Sequence, residues 1–223
     1  MTDNLHDMDW DSTYRGESDF GGEPPWNIGE PQPELAALIA AGKVRSEVLD
    51  AGCGHAELSL ALAAQGYTVT GIDLSPTAIA AATAAAQERG LTGATFLAAD
   101  ITSFTGFDGR FSTVMDSTLF HSLPVEGRDG YVQAVHRAAA PGALYVILVF
   151  AKGAFPPEAE QKPNEVTEDE LREVVRKYWE IDDIRPAFIH ANMPAEMPLP
   201  PHARDDKGRV KMNAFLLTAH KAG

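Results

Sequence analysis

The sequence predicts an α/β protein built on a doubly wound, mostly parallel sheet with helices on both faces. Short apolar segments alternate with helical ones between residues 47 and 150, and this alternation is typical of parallel strands connected by helices. The segment YVILVF is apolar at every position, as expected of a strand covered on both faces. The chain has 223 residues, 44% of them hydrophobic, which is enough for one substantial core.

The individual elements follow from their apolar patterns and boundary residues. Strands are predicted at residues 47–51, 68–73, 95–99, 112–116 and 143–150. Helices are predicted at residues 56–65, 76–89, 128–139 and 168–178, the last one opening with the Thr167 and Glu170 spacing of a capping box. A shorter helix, ELAALIAAG, follows Pro33 and ends at a glycine. Two final strand-like runs, 181–189 and 213–220, flank a proline-rich loop and are predicted to form an antiparallel hairpin.

The first 33 residues differ from the rest of the chain. Residues 1–30 contain eight acidic residues and a single basic one, Arg15, and so carry half of the formal net charge of −14. The segment is rich in glycine and proline, yet its aromatic residues are too many for a solvated tail: Trp10, Tyr14, Phe20 and Trp26. We therefore expect residues 1–33 to form a partly mobile lid, followed by a single domain over residues 34–223.

Composition excludes several classes of partner. A net charge of −14 and a pI near 4.8 disfavour nucleic acids and anionic membrane surfaces. The single cysteine, Cys53, and the lack of a secretory signal fit a cytoplasmic protein. No C-x-x-C spacing is present, and His190, His202 and His220 are scattered along the chain, so no metal site is expected. A monomer and a homodimer are both compatible with the sequence.

The turn after the first predicted strand, VLDAGCGHAE, indicates a ligand that approaches the backbone closely. Gly52 and Gly54 carry no β-carbon, and Asp50 precedes them. A dinucleotide site would have a third glycine at position 57, where its pyrophosphate meets the helix N-terminus. This chain has Glu57 there, which would repel a pyrophosphate. The turn therefore favours S-adenosylmethionine, whose sulfonium and ammonium groups tolerate nearby acids.

Acidic residues follow the next strands in the same register. Asp73, in GIDLSP, is placed to accept both ribose hydroxyls, with Leu74 beside it. Asp100, in AADI, is expected at the adenine end together with Ile101, although it could instead cap the following turn. Asp116 begins the segment DSTLFHSLP, at the rim where the transferred methyl group should lie.

These motifs resemble the class I S-adenosylmethionine-dependent methyltransferases over residues 34–223. More narrowly, YRGE at residues 14–17, PPWNIGEPQPEL and DSTLFHSLP are similar to the thiopurine-methyltransferase-like group, and closest to the heterocyclic toxin methyltransferases of actinobacteria. The resemblance implies a seven-stranded Rossmann-like sheet and S-adenosylmethionine as cofactor, with Trp26 over its methionine part. It also implies methylation of a hydroxyl or ring nitrogen on planar heterocycles such as alkylquinolones, with detoxification as the purpose.

The acceptor side is less defined by the sequence. His121 is interpreted as a general base for a substrate hydroxyl, or else as a pocket-wall residue, since an acidic hydroxyl would arrive ionised and need no base. The other residues expected to contact the substrate are aromatic or apolar: Tyr14, Phe20, Phe120, Met193, Met197 and Leu199. A protein or nucleic-acid methyltransferase, or an inactive protein that binds this cofactor or NAD, is the alternative.

Overall fold

Seven strands form one mixed sheet in the order β3-β2-β1-β4-β5-β7-β6. The computed structural model describes residues 9–17, 24–155, 163–193 and 203–223. The strands are β1 Val48–Ala51, β2 Val69–Asp73, β3 Ala94–Ala98, β4 Phe111–Ser117, β5 Ala139–Phe150, β6 Glu180–Ala191 and β7 Val210–His220. Strands β1 to β5 pair in parallel, whereas β7 is antiparallel to both β5 and β6. The predicted parallel sheet with a C-terminal antiparallel hairpin is confirmed.

Within the part of the chain that the structure describes, six α-helices connect and cover these strands. They are α1 Trp10–Tyr14, α2 Pro33–Ala40, α3 Glu57–Ala64, α4 Pro76–Glu88, α5 Arg128–Ala138 and α6 Glu168–Val175. Two short 3₁₀ helices, Phe120–Ser122 and Val125–Gly127, follow β4. The predicted capping box of α6 is present, because Thr167 and Glu170 exchange hydrogen bonds between side chain and backbone.

Alternate residues of the central strands enter two separate cores, one on each face of the sheet. On β1, Leu49 packs in the core that contains α5 and α6, while Val48 packs in the core that contains α2 and α3. Strand β5 divides in the same way, with Tyr145 on one face and Val146 on the other. Burial on both faces explains why the YVILVF segment of β5 is apolar at every position.

Four elements differ in their boundaries from the predicted ones: α6, β5, β6 and β7. Helix α6 ends at Val175 and is followed by a turn in which the Tyr178 and Trp179 amides both donate to the Val175 carbonyl, and Trp179 is buried in the core. Strand β5 begins at residue 139, with a register shift that accommodates Pro141 and Gly142. The last two strands are longer than predicted because they pair along nearly their whole length. Within the described residues, no helix is long and apolar enough to cross a membrane.

Candidate active site at the strand ends

A cavity of about 1360 Å³ opens beyond the carboxyl ends of β1, β2 and β4. Residues from the N-terminal segment and from the ends of β6 and β7 complete its wall. Ligands of open α/β sheets bind at this edge, where the strand order reverses. The following predicted site residues line it: Tyr14, Trp26, Asp50, Gly52, Gly54, Asp73, Leu74, Asp100, Ile101, His121 and Met193. Phe20, Met197 and Leu199, which were predicted to contact the substrate, lie outside the described residues.

The glycine turn after β1 is held in a left-handed conformation that brings backbone into the cavity. Gly52 has φ +67° and Gly54 has φ +51°. A β-carbon on Gly52 would lie 2.7 Å from the side chain of Leu119, and one on Gly54 would lie 2.5 Å from the hydroxyl oxygen of Tyr14. Both glycines are therefore required for two reasons, the backbone angle and the space.

Asp73 organises this turn from the end of β2. Its Oδ2 accepts the Gly54 amide at 2.8 Å, and its Oδ1 accepts the Ser75 amide at 2.9 Å. A carboxylate can accept about four hydrogen bonds, so each oxygen keeps capacity for one more donor. Burial raises the pKa of Asp73, while the two backbone amides oppose that shift. Asp73 is thus fixed in position and still able to accept hydroxyl groups from a ligand.

Asp50 lies deeper, below the glycine turn. Only 1% of its surface is exposed, and its Oδ2 accepts the Ser59 hydroxyl at 2.7 Å. Burial raises the pKa of Asp50 to about 6, and the Ser59 hydrogen bond works against that rise. A cationic ligand in the cavity would favour the ionised form of this carboxylate.

The far side of the glycine turn presents apolar surface to the cavity. Leu74 is 63% exposed and follows Asp73 directly, while Ile101 is buried after β3. Asp100 is exposed, and its Oδ1 accepts both the backbone amide and the hydroxyl of Thr102. The capping role considered for Asp100 is therefore present, and its second carboxylate oxygen has no hydrogen bond among the described residues. Leu74 and Ile101 can contact the faces of a flat ring, with Asp100 at its polar edge.

Helix α1 lies over the mouth of the cavity and was not expected from the sequence. Asp11 accepts the Ser75 hydroxyl at 2.6 Å and the Thr77 amide at 3.0 Å, which attaches α1 to the first turn of α4. Tyr14 packs edge-on against His55 with ring centroids 4.9 Å apart. These contacts hold Tyr14 above Gly54.

Residues 24–32, called the strap below, connect this N-terminal helix to the edge strand of the sheet. The Gln32 amide group pairs with the backbone of His190 in both directions, at 2.8 and 2.9 Å. The Asn192 backbone amide donates to the Pro25 carbonyl at 2.7 Å, and its side chain donates to the Asn27 carbonyl at 3.0 Å. The strap thereby extends the pairing of β6 and carries Trp26 into the cavity wall.

Two predicted site residues, Asp116 and Phe120, do not line the cavity. Asp116 is fully buried, and its carboxylate accepts the amides of Leu119 and Phe120 and the hydroxyl of Tyr131. Burial raises its pKa to about 7. Phe120 is also fully buried and packs under the guanidinium of Arg128. The carboxylate oxygens of Asp116 are occupied because the chain turns back into a 3₁₀ helix after β4. Neither residue therefore reaches the cavity in which the contacts with cofactor and substrate were predicted.

His121 does line the cavity, but its surroundings do not suit the predicted general base. Its Nδ1 accepts the backbone amide of Phe150 at 3.3 Å. Burial, aided by the nearby Arg128 cation, lowers the pKa of His121 to about 3. An imidazole that binds protons so weakly, and whose Nδ1 is already occupied, is a poor proton acceptor.

Several lining residues carried no signal in the sequence. Leu119, Leu123, Phe150 and Phe155 form an apolar wall near His121, and Phe150 and Phe155 meet edge to face at 4.8 Å. Their positions depend on contacts between distant segments, which a local pattern does not reveal. Thr118 begins this wall with φ +76°, an unusual conformation for a β-branched residue and one that is common at functional sites.

The charge of the cavity lining is strongly negative. Among the described residues, eight carboxylates and one lysine, Lys211, line it. Such a lining favours a cationic ligand and disfavours a polyphosphate. This site is typical of Rossmann-like proteins that bind a nucleoside at their strand ends, as shown by the strand order, the glycine turn and Asp73. Within that class, the negative charge of the lining favours a cationic nucleoside cofactor over a phosphorylated one.

Comparisons with known proteins identify the family. Residues 48–142 match the family model described as a methyltransferase domain. The chain is 52% identical, over 99% of its own length and 100% of the relative, to 2-heptyl-1-hydroxyquinolin-4(1H)-one methyltransferase of Mycobacteroides abscessus. It is also 33% identical to norajmaline N-methyltransferase of Rauvolfia serpentina, over 55% of this chain and 42% of that one. The chain belongs to the S-adenosylmethionine-dependent methyltransferases, and its cofactor is S-adenosylmethionine.

Solved structures agree with the fold. A structure from work on the conversion of a disulfide bond into a thioacetal group during echinomycin biosynthesis has a TM-score of 0.83 and 36% identity, covering 96% of this chain and 91% of that one. The 1,6-didemethyltoxoflavin-N1-methyltransferase of Burkholderia thailandensis, with bound 1,6-didemethyltoxoflavin and S-adenosylhomocysteine, has a TM-score of 0.64 and 22% identity, covering 95% and 84%. The predicted fold class, family and cofactor are confirmed.

Proposed function

We propose that this enzyme methylates a hydroxyl group or ring nitrogen of a small planar heterocycle of the quinolone or phenol type. S-adenosylmethionine, when bound, supplies the methyl group, whose carbon forms a bond to the acceptor atom while sulfur keeps the electron pair of the broken bond. The biological role we propose is detoxification of such compounds in the cytoplasm.

The observation that carries this proposal is the size and division of the cavity. Its volume of about 1360 Å³ exceeds the roughly 300–1,000 Å³ of an ordinary small-molecule site. Polar and acidic groups lie around the glycine turn, whereas the wall beside β4 and β5 is apolar and aromatic. One part fits a nucleoside cofactor and the other an apolar, flat acceptor. The acceptor named for the Mycobacteroides abscessus relative is a bicyclic ring with an alkyl tail.

The cofactor side would use the groups that the sequence indicated. We propose that Asp73 binds the ribose hydroxyls and that Leu74, Asp100 and Ile101 hold the adenine. Gly52 and Gly54 allow the backbone to approach, and Asp50 supports the turn through its buried carboxylate. The lid over residues 1–33 would add Tyr14 and Trp26, whose ring faces suit a sulfonium cation.

On the acceptor side, positioning is the main contribution that the protein can make. Holding two reactants in line can lower a barrier by roughly 7–11 kcal/mol, whereas a general base adds about 10²–10⁴-fold in rate. The apolar wall of Leu123, Phe150 and Phe155, together with Met193, would hold the acceptor ring and exclude water. The acidic lining would repel nucleic acid.

The experiment is a screen of acceptors with labelled S-adenosylmethionine. Hydroxyquinolones, phenols and aza-heterocycles, each with and without an alkyl tail, are incubated with the enzyme, and product mass is measured. Methylated heterocycle supports the proposal. Transfer of label to an added peptide or oligonucleotide instead, or binding of S-adenosylhomocysteine without transfer to any heterocycle, would refute it.

A further inference from the structure

His121 is held firmly at the carboxyl end of β4, in the wall of the acceptor pocket. The 3₁₀ helix that carries it begins where Asp116 accepts the Leu119 and Phe120 amides, at 2.7 and 3.1 Å. The Asn164 side chain donates to the His121 carbonyl at 3.1 Å. The backbone of His121 is therefore fixed before and after the residue, and the direction of its ring is determined by the fold.

The ring is oriented by a backbone amide that the sheet leaves available. Strand β4 ends at Ser117, whose partner on β5 is Leu148, so the Phe150 amide has no strand partner on that side. This amide donates to His121 Nδ1 at 3.3 Å, and the two rings lie against each other at 4.6 Å. A backbone N–H can only donate. Nδ1 is therefore the acceptor, and a neutral His121 must carry its proton on Nε2.

The imidazole of His121 is neutral, and His121 lies in the wall of the cavity. The pKa of His121 is lowered to about 3 by burial and by Arg128, the charged side chain that acts on it. Nε2 has no hydrogen-bond partner among the described residues, and His121 is one of the residues that line the cavity. His121 thus offers the cavity one N–H donor and no free lone pair.

We infer that His121 donates a hydrogen bond from Nε2 to the oxygen of the acceptor, and that it orients an already ionised acceptor rather than removing its proton. This inference rests on the proposed function. The acceptor loses its proton to solvent before it binds, so the transfer joins an oxyanion to a methyl group that leaves a sulfonium, and no proton remains to be moved. The substrate class is then narrowed to heterocycles with an acidic hydroxyl, such as N-hydroxy compounds and phenols with electron-withdrawing rings.

Two substitutions of His121 distinguish a hydrogen-bond donor from a general base. In His121→Gln, the side-chain amide nitrogen can lie close to the position of Nε2 and donate into the cavity. In His121→Asn, the shorter side chain can accept the Phe150 amide but does not reach the cavity. Neither side chain can act as a base. We expect His121→Asn to lower kcat/KM by about 10- to 100-fold, the value of one hydrogen bond to a charged group, while His121→Gln restores most of the activity. Equal losses in both variants, or none in His121→Asn, would overturn the inference.

The wild-type enzyme provides two readouts that do not depend on the folding of a variant. For acceptors of different acidity, kcat/KM should rise with pH through the pKa of each acceptor and then level off. A rise at one fixed pH for every acceptor would indicate an enzyme base and overturn the inference. In ¹⁵N-histidine spectra, Nε2 of His121 should be protonated and Nδ1 unprotonated at neutral pH, and the reverse assignment would also overturn it.

Failure of the proposed function has a different signature. If the wild-type enzyme binds S-adenosylhomocysteine but methylates no heterocycle, the proposed function falls and the inference falls with it. If it methylates ring nitrogens only, the inference alone is wrong. If the wild-type enzyme forms product and the two variants behave alike, only the inference about His121 is wrong. Calorimetry with S-adenosylhomocysteine on each variant serves as the folding control, because His121 is not among the residues we assign to the cofactor.

Discussion

Replacement of Gly54 by alanine tests the contact between the N-terminal helix and the glycine turn. The new β-carbon would lie 2.5 Å from the Tyr14 hydroxyl oxygen and 3.2 Å from the ring carbon that bears it. Either Tyr14 must move away from the cavity, or the turn must move and weaken the bond between the Gly54 amide and Asp73. Overpacking of this kind costs about 1–3 kcal/mol, which corresponds to roughly a 5- to 150-fold loss of affinity for S-adenosylhomocysteine.

The backbone strain of the substitution must be separated from the collision. Gly42→Ala is the matched control, since Gly42 has φ +66° but no atom within 4 Å of the added carbon. Left-handed strain costs about 1–2 kcal/mol at either position, so each variant should lose a few degrees in Tm. We expect only Gly54→Ala to lose affinity in calorimetry, and Tyr14→Phe in the same chain to restore part of it.

Two results would refute this reasoning. Equal affinity of the Gly54→Ala and Gly42→Ala variants would show that Tyr14 does not lie over the glycine turn in solution. A Gly54→Ala defect that Tyr14→Phe leaves unchanged would show that the backbone angle, and not the hydroxyl group, is the cause.

Three further predictions concern the cofactor, the lid and the acceptor. Asp73→Ala should weaken S-adenosylhomocysteine binding in calorimetry by about 10²- to 10⁴-fold, since two hydrogen bonds to a charged group are worth about 1.5–3 kcal/mol each; an unchanged Kd would remove Asp73 from the site. Asp11→Ala should release α1 and speed hydrogen exchange at residues 9–17. Hydrogen bonds from Ser75 and Thr77 lower the pKa of Asp11 to about 2, so the attachment of α1 is complete above the unfolded pKa near 4 and is lost as the pH falls towards 2. Protection factors at residues 9–17, taken relative to the intrinsic exchange rate at each pH, that change neither with pH nor with this substitution would contradict it. Phe155→Ala should raise KM for acceptors with alkyl tails more than for compact ones, and uniform losses would indicate a structural role.

The sheet and the cofactor side could be predicted because their signals are local. Fully apolar strands, a glycine turn and the acids Asp50, Asp73 and Asp100 at strand ends follow from neighbouring residues in the chain. Parallel strands bring those ends to one edge, so local patterns were enough to assemble that part of the site. The resemblance to a known family added the strand number and the kind of acceptor.

The remaining features depend on contacts between distant residues. Asp116 follows a strand just as Asp73 does, but the chain after it turns back and saturates its oxygens. The proton position on His121 is set by an amide 29 residues away, at Phe150. Helix α1 has five residues and is anchored by Asp11 to Ser75, 64 residues further along the chain. No periodicity in the sequence encodes such pairings.

The pairing of Gln32 with His190 has a consequence for how this enzyme can evolve. The strap is bound to the end of β6, directly before the segment that leads into the β6–β7 connection, and the same strap carries Trp26 on the cofactor side. A salt bridge from Glu30 to Arg209 joins the strap to the start of β7 as well. We therefore expect a mutation that reshapes the cavity wall at Met193 to shift the strap as well, and with it the position of Trp26 and the affinity for the methyl donor. The range of acceptors and the affinity for the methyl donor would then change together. Selection for a new heterocycle would therefore also have to restore the affinity for the donor.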